Sequence, residues 1–258
     1  MPEGHSLHRL ARRLRRDLVG RPTRAWSPQG RFAEGAAEID GDVAASSDAY
    51  GKHLVLGYES GRLLHVHLGL FGKMGRRRDP SAEPRGAVRL RLATDRSAWD
   101  LRGPTACHLI TPGDLDRLLG RLGPDPLRPD AYPTPALARI ARSRRTIGEL
   151  LLDQSIIAGI GNVYRCEILH LVGMAPQTPG RATGEHERAR MWDLAVSLMA
   201  EGASAGRIVT FPQPSTDGRR LYVYRQETCG SCGGPVTRAA LGARPAHWCP
   251  RCQPEEGP

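Results

Sequence analysis

Thr146-Ile147-Gly148-Glu149-Leu150-Leu151-Leu152-Asp153-Gln154-Ser155-Ile156-Ile157-Ala158-Gly159-Ile160-Gly161-Asn162 is the stretch from which the fold of this chain is read. Thr146 and Glu149 stand three apart, the spacing at which each side chain satisfies the other's backbone N–H at a helix start. That predicts a helix through Leu150, Leu151 and Leu152. Asn162 is a helix-capping residue type and predicts a second helix to about Leu171, with Gly173 just past its end. Gly159 and Gly161 let the intervening turn approach a partner closely. A helix N-terminus with exposed amides is a phosphate site; the alternative is a helical hairpin with no ligand.

Downstream, an amphipathic helix is expected over roughly 184–201, with Trp192, Leu194, Ala195, Leu198 and Met199 as its apolar positions. Residues 202–218 have little periodicity and read as loop. The strongest chemical signal follows. Cys229, Cys232, Cys249 and Cys252 have the spacing C-x2-C-x16-C-x2-C, which suits one tetrahedral Zn2+ held by four thiolates. Four protein ligands leave no open position, so the zinc is expected to be structural; a redox C-x2-C pair is the alternative. Val236–Arg238 and Pro245–Trp248 are expected to form hairpin strands, with Arg244 near the turn and able to reach a phosphate. Cys107 and Cys166 have no partners at ligand spacing and are expected to be small buried residues.

Upstream, Leu122-Gly123-Pro124-Asp125-Pro126-Leu127-Arg128-Pro129 breaks every period and reads as the main linker; a short helix is expected from Pro135 to Arg142. From Arg24 to about Arg102 the pattern is strand-like. Two apolar runs, Lys52–Tyr58 and Arg62–Leu68, flank the turn Glu59-Ser60-Gly61. Val88–Leu92 and Ala98–Arg102 alternate about the turn Thr94-Asp95-Arg96-Ser97. Short strands with polar turns predict an antiparallel sandwich, with Lys52 opening a strand directly after Gly51. The loop Gly69-Leu70-Phe71-Gly72 carries large apolar residues beside the basic run Arg76-Arg77-Arg78. They either pack in the core or act as wedges in a base stack.

At the start, Leu7, Leu10, Leu14 and Leu18 mark one face of a helix whose other face is arginine; Gly20 and Pro22 end it. That helix would anchor the residues before it, Met1-Pro2-Glu3-Gly4. Loss of Met1 leaves Pro2 as a secondary α-amine, which titrates near ~8 and attacks electrophilic carbon to form Schiff bases. Glu3 beside it could move a proton.

The chain has 258 residues, room for two or three small domains. Its net charge of +10 and pI of about 9.9 favour a nucleic-acid partner. No apolar run is long enough to cross a membrane, and the N-terminus lacks the apolar core of a signal peptide. An intracellular protein is therefore expected, cytoplasmic and associated with the nucleoid, and its six cysteines do not read as a disulfide framework.

Met1-Pro2-Glu3-Gly4, the segment Leu151–Asn162 and the tetracysteine motif, in this order and at these separations, resemble the formamidopyrimidine-DNA glycosylase and endonuclease VIII family. The resemblance spans nearly the whole chain. It implies an α+β fold: an N-terminal β-sandwich with an N-terminal helix over 1–122, a helix–two-turn–helix domain over 123–218 and a zinc finger over 219–258. It implies a monomer acting on double-stranded DNA that carries a damaged base or an abasic site. Pro2 looks like the nucleophile and Glu3 like the proton-transferring carboxyl. Lys52, Asn162 and Arg244 look like the groups that hold the DNA backbone, with Lys52 and Arg244 also counted in the catalytic set. Leu70 and Phe71 look like the wedge of the endonuclease VIII branch. The implied activity is base excision followed by β,δ-elimination. His5-Ser6 stands where the purine-directed branch has Pro-Glu, which favours oxidised pyrimidines over formamidopyrimidine-type purines. The rival readings are a non-enzymatic damaged-DNA binder and a zinc-ribbon subunit of a larger assembly, neither of which needs Pro2.

Overall fold

A computed structural model describes residues 2–213 and 218–255; Met1 and part of the expected 202–218 loop lie outside them. The chain divides into two compact units, 1–121 and 122–258.

The first unit opens with helix α1 (Gly4–Leu18). Its four leucines are at most 7% exposed because they recur on the one face that packs against strands β2 (Ala44–Tyr50) and β3 (His53–Tyr58). Burying each is worth roughly 1.5–3 kcal/mol. Strands β4 (Leu63–His67) and β8 (Ala106–Ile110) complete an antiparallel sheet of order β2-β3-β4-β8. A second antiparallel sheet has the order β1-β6-β7-β5, from Arg24–Trp26, Leu90–Ala93, Ala98–Arg102 and Lys73–Arg77. Leu54, Leu56, Leu64 and Val66 of one sheet share a hydrophobic cluster with Leu90, Leu92, Trp99 and Leu101 of the other. This is the expected sandwich. Helices α2 (Ala33–Glu38) and α3 (Pro112–Leu119) were not foreseen.

One local expectation for this unit is corrected. Lys52 does not open a strand: Tyr50 pairs with His53, leaving Gly51 and Lys52 as a two-residue hairpin turn. Gly51 has φ 56, as the first turn residue of such hairpins requires. The alternating strands β6 and β7 hold a buried ion pair. Arg91 and Asp100 are buried, and Arg91 donates to both carboxylate oxygens at 2.5 and 3.0 Å. Burial alone raises the Asp100 pKa, but hydrogen bonds from Arg91 and Arg102 reverse this and hold it below the usual carboxylate range.

In the second unit α4 (Thr134–Ala141) precedes α5 (Ile147–Leu150). Thr146 and Glu149 make both bonds of the capping box, but α5 ends after one turn instead of running through Leu152. Helix α6 (Asn162–Val172) ends at Gly173 with φ 79. Helix α7 (Glu185–Ala205) extends four residues beyond the expected 201. Its core with α4, α5 and α6 includes Ile140, Leu150, Tyr164, Ile168 and Trp192. Strands β9 (Thr237–Leu241) and β10 (Arg244–Trp248) form the expected hairpin. Cys166 is buried, whereas Cys107 is only half-buried.

Candidate active site and metal centre

In the first unit, Glu3 is the residue just before α1, in extended conformation, with its carbonyl accepting from Ser6 N at 2.9 Å. Its side chain is fully buried while Pro2 is half-buried. The positive end of the helix dipole favours a carboxylate there. Beside it, burial pushes the His5 imidazole down to about 4, so that it stays neutral. Its Nε2 lies 3.0 Å from Ser6 Oγ. Leucine burial in α1 therefore fixes Pro2 and the Glu3 carboxyl together.

Lys52 sits half-buried on the β2–β3 turn. Between β4 and β5, Leu70 is 37% and Phe71 85% exposed, so the alternative that both pack inside the sandwich fails. Two glycines are needed for this shape. Gly69 has φ 65, and a Cβ on Gly72 would lie 2.1 Å from the Leu68 carbonyl oxygen.

In the second unit, Gln154 pins the turn between α5 and α6. Its amide donates to the carbonyls of Leu152 (2.8 Å) and Ile160 (3.0 Å) and accepts from Gly159 N (3.0 Å). Asn162 is not the cap; Gly161 takes that position and Asn162 is the first helical residue. The Asn162 side chain instead donates to Pro245 O at 3.0 Å and accepts from the Arg165 guanidinium. Arg165, buried, also donates to Pro245 O at 2.9 Å and Arg244 O at 3.3 Å. Asn162 and Arg244 are thus brought together through Arg165, which sequence reasoning missed. Its charge on an otherwise buried helix was the available signal. Arg244 opens β10 opposite Leu241, half-buried beside the hairpin turn. Glu167, also missed, accepts from the backbone N–H groups of Tyr222, Val223 and Tyr224 at 2.7–3.0 Å.

The four cysteine sulfurs lie within 4.8 Å of one another. Cys229 Sγ is 3.8 Å from Cys252 Sγ, and Cys232 Sγ is 3.5 Å from Cys249 Sγ. A tetrahedron with Zn–S bonds of about 2.3 Å has edges of about 3.8 Å, so the set fits one zinc ion. Backbone N–H groups of Ser231 and Gly234 point at Cys229 and Cys232 sulfurs, both at 3.4 Å, stabilising thiolates. With every position filled by protein, the zinc is structural.

Pro2, Glu3, Lys52, Leu70 and Phe71 belong to the first unit; Asn162, Arg244 and the cysteines belong to the second. No helix among the described residues is long and apolar enough to cross a membrane.

Three family profiles match the chain: the formamidopyrimidine-DNA glycosylase N-terminal domain over 1–107, the formamidopyrimidine-DNA glycosylase H2TH domain over 122–212, and the zinc finger found in FPG and IleRS over 226–254. Endonuclease 8 1 of Mycobacterium tuberculosis is 46% identical, over 98% of this chain and all of that protein. The formamidopyrimidine-DNA glycosylase of Thermus thermophilus is 33% identical over the full length of both. A solved Lactococcus lactis formamidopyrimidine-DNA glycosylase, noncovalently bound to DNA containing an abasic site, matches with a TM-score of 0.84 over 98% of this chain and all of that one. At 22% identity it speaks for the fold.

Proposed function

The chain belongs to the formamidopyrimidine-DNA glycosylase and endonuclease VIII family, and on that premise we propose that it is a bifunctional DNA glycosylase and abasic-site lyase of base-excision repair, acting on oxidised pyrimidines. The observation that carries the reading is the placement of Pro2 and the buried Glu3 together at the start of α1. The damaged nucleotide leaves the stack so that its sugar can be reached. The Pro2 nitrogen attacks the anomeric carbon, the bond to the base breaks, and the sugar opens to an iminium ion. Glu3 moves the protons of base departure and ring opening. The iminium acidifies the C2′ proton; its removal expels the 3′ phosphate, and a second elimination expels the 5′ phosphate. Lys52, Asn162 and Arg244 hold the backbone without reading sequence, and Leu70 and Phe71 fill the space the extruded base leaves.

Three parts share this work: a catalytic sandwich over 1–122, a helix–two-turn–helix domain over 123–218 and the zinc finger over 219–258. The protein works as a monomer on chromosomal DNA in the cytoplasm. The pyrimidine assignment rests on His5-Ser6 and on the Leu70-Phe71 pair. Borohydride trapping on oligonucleotides carrying an oxidised pyrimidine, a formamidopyrimidine purine or an abasic site tests both levels. Cross-linking to the pyrimidine and abasic substrates, with slower capture of the purine, is expected. Faster purine capture reverses the specificity, and binding without any capture makes the protein a non-enzymatic binder.

A further inference from the structure

Four histidines lie on the outer face of the β2-β3-β4-β8 sheet, where the proposed reaction does not use them. The register sets His53 opposite His67 and His65 opposite His108, while the intervening Leu54, Leu64 and Val66 enter the core. His53 Nδ1 is 2.9 Å from His65 Nε2, and His65 Nδ1 is 3.2 Å from His108 Nε2. The ring centroids of His53 and His65 are 5.1 Å apart and nearly parallel, at 27°. A cavity of about 760 Å³, lined by these three rings with Asp114, Arg117 and Arg121, opens beside them. The chain runs from exposed His108 through buried His65 to His53, the residue after Lys52.

Counting protons limits what this chain can hold. A neutral imidazole has one N–H and one acceptor nitrogen. Neutral His65 must therefore donate to one neighbour and accept from the other. One added proton is tolerated on any of the three rings, because every N···N contact still has one hydrogen. A second proton places two hydrogens in one contact and breaks it. The fourth ring is outside this set. His67 Nδ1 accepts from the Gly69 backbone N–H at 3.2 Å, which keeps its proton on Nε2 and leaves Nδ1 closed to another.

The groups facing the chain are mostly cationic. Lys52 on the turn before β3 and Arg121 after α3 repel a proton on His53, as do His65 and His67. On α3, Asp114 is engaged by Arg117 at 2.5 Å; on β2, Asp48 is engaged by Arg15 of α1 at 2.5 Å. A phosphate at Lys52 would replace a repulsive neighbour of His53 with an attractive one. We propose that the His53–His65–His108 chain takes up one proton from solvent when a DNA phosphate docks at Lys52, which makes His53 a further, proton-linked backbone contact. The inference rests on the reading of Lys52 as a phosphate ligand.

Binding of a duplex with an uncleavable abasic-site analogue, measured from pH 5.5 to 8 at constant ionic strength, tests it. Proton uptake is read by calorimetry in two buffers of different ionisation enthalpy. The unaltered chain should gain affinity as pH falls, up to roughly tenfold per pH unit, the limit for one linked proton. His53→Gln together with His65→Gln should flatten the dependence and abolish uptake. If the double variant melts early, His53→Gln alone is the deciding arm. An unchanged slope in the variants, or no uptake by the unaltered chain, overturns the proposal. Uptake on adding inorganic phosphate alone would assign the chain to a free anion and also overturn it. Lys52→Gln separates the two levels. If it weakens binding while the unaltered chain shows no uptake, Lys52 stands and the histidine chain falls. If it leaves affinity unchanged, the reading of Lys52 falls and takes the proposal with it.

Discussion

Glu3 is a buried carboxyl at the positive end of α1, a place that favours its charge. Glu3→Gln keeps the shape of the side chain and removes its capacity to carry a proton. Base excision should fall by roughly 10²–10⁴, the range general acid–base groups supply, with little change in melting temperature; an excision rate within twofold would contradict its role. Arg244 stands beside the β9–β10 turn. As a backbone contact it should act uniformly, so Arg244→Ala should weaken all DNA binding and lower the salt slope by about 1. A changed lesion ranking at unchanged affinity would count against it. The residue types at both positions were legible in sequence. Their setting was not: Asn162 reads as a helix cap, yet its side chain bonds Pro245 O and Arg165. Bonds that span some eighty positions have no local signature.

At the scale of elements, those with strong periodicity were legible, and those made of short polar runs were not. The leucine face of α1, the capping box at Thr146 and the cysteine spacing each state their structure locally. Strand β2, Ala44-Ala45-Ser46-Ser47-Asp48-Ala49-Tyr50, has small polar residues and is a strand only because α1 covers one of its faces and β3 pairs with it. The β4–β5 turn carries a prediction of its own. Leu70→Ala with Phe71→Ala should leave the melting temperature within about a degree or two, since both side chains are exposed. Abasic DNA should still be cut, while excision of a paired lesion base falls by about tenfold or more, because the unstacking cost is no longer offset. Parallel loss of both activities would contradict the wedge. For the zinc finger, Cys249→Ser should release the metal and loosen the β9–β10 hairpin that carries Arg244, because zinc binding is folding energy. Metal analysis beside DNA affinity checks this; full zinc content in the variant would contradict it.

Across the whole molecule, acid response follows from histidines held neutral. Burial lowers His5 to about 4, His53 to about 3 and His65 to about 4, all from 6.5. An unfolded chain takes up these protons first as pH falls, so the stability they contribute is complete above about 6.5 and drains as pH approaches 4. The melting temperature of the first unit should therefore drop markedly from pH 7 to pH 5; no change would show that these rings are not held neutral. The nucleophile is identified by locating the covalent bond. After borohydride reduction on abasic DNA, peptide mapping should find the sugar on the amino-terminal nitrogen of Pro2. Attachment to Lys52 or Lys73, the chain's two lysines, or no attachment at all, would contradict it.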